Sequence, residues 1–200
     1  MITKTCLISR IDKLSCDQIS GLIMQKKLHV NLSDRITPYD NDEEWKNRLT
    51  EMWWAVNYKG DAQKEDPRYG TVLPLRDLLL AIGGCEVCLP VVEGDLEDIM
   101  KHGQLWDNCT VIISKGKQSQ CHSNSALFWS QNKRSFKEGC ATILCTGYAL
   151  SKDGFWRQHS WVMRTTPRSS MIIETTEPRI AYYGFGMNYE QAEKFKNFNL

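Results

Sequence analysis

Gln118-Ser119-Gln120-Cys121-His122-Ser123-Asn124-Ser125-Ala126-Leu127-Phe128-Trp129 passes from small polar residues into an apolar segment, the order found where a loop enters the first turn of an α-helix. A thiol at Cys121 would then stand among backbone N–H groups that have no partner inside the helix. Their field favours thiolate over thiol. Further along the chain, Trp156-Arg157-Gln158-His159-Ser160-Trp161-Val162-Met163 alternates between two faces, so His159 is predicted on a strand. Met171-Ile172-Ile173 ahead of Glu174 and Thr175-Thr176 reads as the end of the next strand. If these two strands pair antiparallel beside the helix, imidazole and carboxylate share one edge of the sheet and face the thiol.

The flanking segments extend this reading. Lys152-Asp153-Gly154 is a tight-turn signal, so residues 141–150 and 155–163 are predicted as the arms of a hairpin. Residues 170–175 and 178–185 add strands, and Asn188 is the N-cap of a closing helix over 189–195. Upstream, the apolar spacing over 73–82 predicts a buried helix closed by Gly83-Gly84, residues 85–92 a strand, and 95–102 a short helix ended by Gly103. Residues 110–113 form a strand that leads through the polar loop 114–120 to Cys121. Nearer the start, 3–9 reads as a strand, 17–27 as a helix and 31–41 as a loop. A helix opens near Asp40 to Asp42 with Glu43 and Glu44 in its first turn and runs through Val56, followed by a polar loop over 58–69. The pair Trp53-Trp54 cannot face inward together on one helix. A helix followed by hairpin-linked strands is an α+β arrangement. The expected architecture is a cysteine-bearing helix on an antiparallel sheet in residues 108–200, with 1–107 as a mostly helical elaboration of the same compact unit.

Two hundred residues suffice for one domain with a sizeable core. The formal net charge is +1, so the overall balance favours neither nucleic acid nor an anionic membrane as partner. The modest basic run of Lys115, Lys117, Lys133, Arg134 and Lys137 reads first as a solvated surface and second as a field that steers an acidic substrate. No apolar run is long enough to span a bilayer, and the first residues lack a signal-peptide core. A cytoplasmic protein is therefore expected. Eight cysteines in a chain of this length and ordinary composition read as reduced thiols rather than a disulfide scaffold. The acceptor patterns Asn31-Leu32-Ser33 and Asn108-Cys109-Thr110 carry meaning only in a secretory pathway.

The order of Cys121, His159 and Glu174 resembles the papain-like superfamily, and within it the transglutaminase-like branch. Three matches carry the resemblance: Cys121 ahead of Asn124-Ser125-Ala126-Leu127-Phe128-Trp129, Thr146-Gly147-Tyr148 ahead of His159-Ser160-Trp161, and Ile172-Ile173-Glu174-Thr175-Thr176. It covers roughly residues 108 to 185. Two departures stand out: Glu174 occupies the place of the family's Asp, and His122 belongs to no pattern of the family. The resemblance implies a thiol-dependent hydrolase or acyl transferase that works on an amide or peptide bond of a peptide, protein or other amide-containing substrate, with no cofactor and no metal.

That chemistry assigns roles. Cys121 is the nucleophile, and His159 pairs with the thiolate and shuttles the proton. Glu174 orients the ring and stabilises the imidazolium. The Cys121 backbone N–H and a side-chain amide from Gln118, Gln120 or Gln104 are candidate oxyanion donors, Gln118 being slightly preferred. Trp156 and Trp161 flank the base and are candidate walls of the cleft. Each residue also has a commoner structural reading: Cys as a small core hydrophobe, His as a core donor, Trp as core filler. The rival class is accordingly a binding or interaction protein that keeps this fold without catalysis. Adjacent helical positions point about 100° apart, which makes His122 a poor base for Cys121. Cys85-Glu86-Val87-Cys88 is half of a zinc or redox pattern with no second half in the chain, so buried strand cysteines are expected there.

Overall fold

The computed structural model describes residues 35, 72–88, 94–133 and 140–200. The expected elements over 3–9, 17–27, 31–41, 40–56 and 58–69, the Trp53-Trp54 pair and the turn at 137–139 lie outside the described residues. In chain order the described elements are α1 (Val72–Ile82), β1 (Glu86–Val87), α2 (Leu96–His102), β2 (Gln104–Trp106), β3 (Thr110–Ile113), α3 (Cys121–Asn132), β4 (Ala141–Leu150), β5 (Phe155–Thr165), β6 (Ser170–Glu174), β7 (Ala181–Gly186) and α4 (Tyr189–Asn199). This is an α+β chain. Two compact units divide it: Met1–Gln104 with Leu150–Arg157, and Leu105–Ala149 with Gln158–Leu200.

In the first unit, Leu75, Leu78, Leu79 and Ile82 recur at helical spacing along α1 and are all buried. The helix ends where Gly83 N–H donates to the Leu79 carbonyl at 3.1 Å. Gly84 then takes φ +94°, and a Cβ there would stand 2.9 Å from the Gly154 carbonyl oxygen and 3.0 Å from Trp156 Nε1, so only glycine fits. β1 runs parallel to the first residues of β5, with Glu86 opposite Phe155 and Val87 opposite Trp156. Among the described residues the strand expected over 85–92 is formed at these two residues, with the Cys88 N–H still donating to the Trp156 carbonyl at 2.9 Å; 89–93 lie outside the described residues. Arg76 on α1 holds Glu86 through Nε and Nη2 at 3.1 and 3.2 Å. At the hairpin tip, Asp153 accepts from Arg157 at both carboxylate oxygens, 2.8 and 2.7 Å.

In the second unit the strand order is β2-β7-β4-β5-β6-β3. The expected antiparallel sheet proves to be mixed: β5 and β6 are antiparallel, whereas β3 runs parallel to β6. Connectivity explains the difference. α3 and the β4–β5 hairpin lie between β3 and β6 in sequence, which supplies the long crossover that a parallel pair requires. β4 is buried from Leu144 to Leu150 without interruption, which is why its sequence there carries no charged residue and no polar–apolar alternation. Gly147 in β4 and Gly184 in β7 meet backbone to backbone, and a Cβ on either would overlap the other strand's main chain. Trp161, Cys145, Ala149, Ile172 and Tyr182 form the core of this unit, with Trp106 and Val111 packed against it. α4 opens on a capping box in which Asn188 and Gln191 each accept the other's backbone N–H, at 2.9 and 3.0 Å. Among the described residues no helix is long and apolar enough to cross a membrane.

Candidate active site

The C-terminal end of β6 organises the site. In the β5–β6 register Val162 pairs with Ile173. One further step sets Trp161 opposite Glu174, and His159 lies diagonal to that carboxylate on the same face of the sheet. His159 Nε2 and Glu174 Oε2 are 2.9 Å apart. On the other side of β6, Ile113 of β3 pairs with Glu174, and the ladder continues through Ser114 N–H to the Glu174 carbonyl and Gly116 N–H to the Thr175 carbonyl, both 2.8 Å. The loop to α3 is thereby anchored to the same residues that carry the carboxylate.

α3 docks through small side chains. Ser125, one turn after Cys121 and so on the same helix face, donates to the Ser160 carbonyl at 2.9 Å and lies 3.4 Å from the Thr175 hydroxyl. A larger residue at Ser125, which is fully buried, would lift the helix off the strands. Asn124 fixes the other flank: its Nδ2 donates to the Lys117 carbonyl at 2.6 Å and its Oδ1 accepts from Lys117 N–H at 3.0 Å. Gly116 is required beneath it, since a Cβ there would lie 2.5 Å from Asn124 Cγ.

These anchors place the Cys121 thiol beside the His159 imidazole, close enough for each to act on the other's ionisation. Glu174 occupies Nε2, which leaves Nδ1 for the sulfur. Burial by itself would raise the Cys121 pKa. The hydrogen bond and positive charge of His159, together with backbone N–H groups of Ser160 and His122, outweigh it and hold the thiol below its ordinary range. His159 moves the other way: burial opposes its charged form, but Cys121 and Glu174 raise its pKa. Glu174 is lowered, since its bond and charge partner His159 and the Thr176 donors outweigh desolvation. Its four accepted bonds come from His159 and Tyr182 OH on Oε2, at 2.9 and 3.0 Å, and from Thr176 N–H and Oγ1 on Oε1, at 2.8 and 2.9 Å. All of these shifts favour thiolate and imidazolium over the neutral pair.

Exposure is unequal across the three. Cys121 is half-buried, whereas His159 is 2% exposed and Glu174 0%. Of the three, only Cys121 has appreciable exposed surface.

Of the other residues selected from the sequence, Gln118 and Gln120 are exposed on the loop that leads into α3, Gln120 being its N-cap residue. Trp161 is fully buried and stacks on His159 with ring centroids 6.4 Å apart and planes at 15°. Trp156 belongs to the first unit, is also fully buried, and donates its indole N–H to the Gly83 carbonyl at 2.6 Å. Neither ring offers a face to solvent. His122 turns to Ser160, with Nδ1 2.6 Å from the hydroxyl. Burial, and then the charge of His159, push its pKa down to about 4, so it is neutral at physiological pH. Cys85 is exposed, and burial raises the Cys88 thiol. Among the described residues no three His, Cys, Asp or Glu side chains are grouped to hold a metal ion.

Sequence reasoning missed Tyr182, Thr176, Asn124 and Gly116. Thr176, two residues after a carboxylate, is a recognisable local pattern. Tyr182 reaches Glu174 only through the fold. No protein-family model, curated protein or solved structure matches this chain.

Proposed function

We propose that this chain is a thiol-dependent hydrolase or acyl transferase that acts on an amide or peptide bond, with Cys121 as nucleophile, His159 as proton shuttle and Glu174 as the residue that orients it. One observation carries the reading: His159 is bonded to the sealed carboxylate of Glu174 on one side and acts on the thiol of the half-buried Cys121 on the other. A purely structural Cys–His contact has no need of a buried carboxylate with four donors around it. Removing such a charge from water costs several kcal/mol, on the order of that of any buried ion.

The steps derive from the groups in place. The Cys121 thiolate adds to the substrate carbonyl carbon, and the carbonyl electrons move onto oxygen. The Cys121 backbone N–H, which by position has no partner within α3, is one donor for that oxyanion, and the Gln118 or Gln120 amide is the other. His159 gives its proton to the departing amine as the C–N bond breaks, leaving a thioester. Neutral His159 then takes a proton from water or an amine, which attacks the thioester and releases the thiolate. Glu174 remains ionised throughout and keeps Nε2 as the protonated nitrogen, so that Nδ1 faces the chemistry. This sequence of roles suits the papain-like and transglutaminase-like resemblance, with Glu in place of Asp.

The test is selective alkylation. Iodoacetamide at neutral pH should label Cys121 far faster than the other seven thiols, and His159→Ala should abolish that advantage. Uniform labelling of all eight cysteines would leave a protein with a binding role only.

A further inference from the structure

Thr110-Val111-Ile112-Ile113 is a run of β-branched residues, and among the described residues the strand it forms has a partner on one side only: β3 stands at the end of the strand order, next to β6. Its backbone parity is readable from the ladder. Ser114 and Gly116 direct their N–H groups to β6. Successive residues of a strand alternate sides, so Ile112 also faces β6, while Val111 and Ile113 present N–H and C=O to the open edge. Ile112 and Ile113 are 45% and 43% exposed. Edge strands are ordinarily blunted by proline, an inward charge or a bulge, and Thr110–Ile113 contains no proline and no charge. An apolar, unblunted edge is the form that accepts an added strand.

Its position ties it to the thiol. Ile113 is level with Glu174 in the parallel register, and the loop after β3 is clamped to the first turn of α3 by the two-way Asn124–Lys117 bridge. Edge, loop and the first turn of the nucleophile's helix are therefore joined by hydrogen bonds. Immediately past the edge stand Lys115 and Lys117, both exposed, which place positive charge where an incoming strand would arrive.

We propose that the open edge of β3 docks the substrate, and that the substrate is taken as an extended polypeptide with acidic side chains; this rests on the thiol-enzyme reading and names its substrate class. Main-chain hydrogen bonds to Val111 and Ile113 supply the register, and Lys115 and Lys117 select charge.

The experiment is amide hydrogen exchange by NMR on Cys121→Ala, which binds without turnover. The probes are two pools of acetylated, amidated decapeptides of alternating Thr and Val around a central Gln, one with Glu and one with Lys at two flanking positions. The Glu pool is expected to slow exchange at Val111 and Ile113 by about tenfold or more while Ile112 and Ser114, already paired, stay unchanged. Methylating the peptide backbone nitrogens one at a time should abolish the effect at every second position. The Lys pool should act more weakly, and Lys115→Gln with Lys117→Gln should erase the difference. No slowing at Val111 and Ile113 with either pool at millimolar concentration, or sensitivity to methylation without the two-residue period, overturns the proposal. So does protection in the free protein that grows with its own concentration, because the edge would then be paired with a second copy. Iodoacetamide labelling of the wild type is run alongside: a fast Cys121 with an unprotected edge overturns the docking strand alone, and a slow Cys121 with a protected edge overturns the hydrolase reading and leaves a peptide-binding edge.

Discussion

Replacing Glu174 by Gln changes one atom and almost no volume, so its effect is decided by the donors that surround the carboxylate. That group accepts from His159 Nε2 and Tyr182 OH on one oxygen and from Thr176 N–H and Oγ1 on the other. A carboxamide has one acceptor oxygen, so one of these two donor pairs must face an NH2 group. If the oxygen stays toward His159, the Thr176 N–H is buried against a donor. If it turns toward Thr176, the NH2 faces His159 Nε2, and that nitrogen can accept only by giving up its proton. The imidazole then carries its hydrogen on Nδ1, toward the sulfur, and cannot take the thiol proton. Either arrangement leaves a buried donor unmet, which costs about 1 to 3 kcal/mol of stability. The second also removes turnover by on the order of 10³ to 10⁴ in kcat, the effect expected when a triad is held in the wrong tautomer. Thiol reactivity reports the same change, because Cys121 loses the imidazolium that keeps its pKa low and returns to a few per cent thiolate at neutral pH. The assay is the second-order rate of iodoacetamide alkylation at Cys121 against pH, with 15N shifts of the His159 ring to read the tautomer. Tyr182→Phe is the control: it deletes one donor to Oε2, leaves the His159–Glu174 bond, and should cost about 1 kcal/mol in stability with little change in alkylation. A folded Glu174→Gln protein whose alkylation profile overlies the wild type would refute the reasoning and reduce Glu174 to a structural group.

Amide turnover should follow a bell in pH: it rises as Cys121 ionises through its lowered pKa and falls as His159 loses its proton above its raised one, whereas alkylation rises and then levels off, since it needs the thiolate and no proton donor. Coincident profiles for the two reactions would contradict the assignment of His159 as the acid. His122 titrates near 4 in the fold against an ordinary 6.5, so the unfolded chain takes its proton first and stability is lost as pH falls from about 6.5 toward 4, by roughly 3 kcal/mol in total. Urea midpoints across that range should show a slope that His122→Asn removes; equal slopes in the two proteins would be inconsistent with a buried neutral imidazole. Gly184→Ala places a methyl group onto the Thr146 carbonyl and the Gly147 backbone, which cannot move without parting β4 from β7, and should destabilise by about 3 kcal/mol or more. A thermal midpoint within a degree or two of the wild type would show that those strands are not in close contact.

What the sequence reveals and what it hides divide along physical lines. α1 is readable from Leu75, Leu78, Leu79 and Ile82, and the β4–β5 hairpin from Lys152-Asp153-Gly154, because each signal lies within a few residues of the element it creates. β2 is not readable: Gln104-Leu105-Trp106 has no period of its own and becomes a strand by pairing with β7. The parallel placement of β3 is hidden for the same reason, since direction is set by a long connection and not by the residues of the strand. Among candidate site residues, the order of Cys121, His159 and Glu174 can be read along the chain. The donors that hold Glu174 cannot, apart from Thr176, since Tyr182 arrives from a different strand. Trp161 illustrates a further limit. Alternation puts it on the same face as His159, but only the packed neighbours Trp106 and Tyr182, with centroids at 5.5 and 5.1 Å, reveal that this face is core.

That shared face bears on the chemistry in the proposed reading. With Trp161 stacked on His159 and Glu174 sealed behind it, the imidazole is held in a dry setting and its Nε2 is occupied by Glu174. A low-dielectric back wall strengthens the His159–Glu174 interaction and lets the ion pair with Cys121 persist despite the cost of burial. It also dictates the direction of approach. The nucleophile that resolves the thioester, water or amine, has to come in along the sulfur side to reach Nδ1, through the space that the leaving amine has just vacated. In the proposed reading hydrolysis and transfer therefore compete for the same approach to the sulfur, and what the acyl-side part of the substrate covers there biases the outcome.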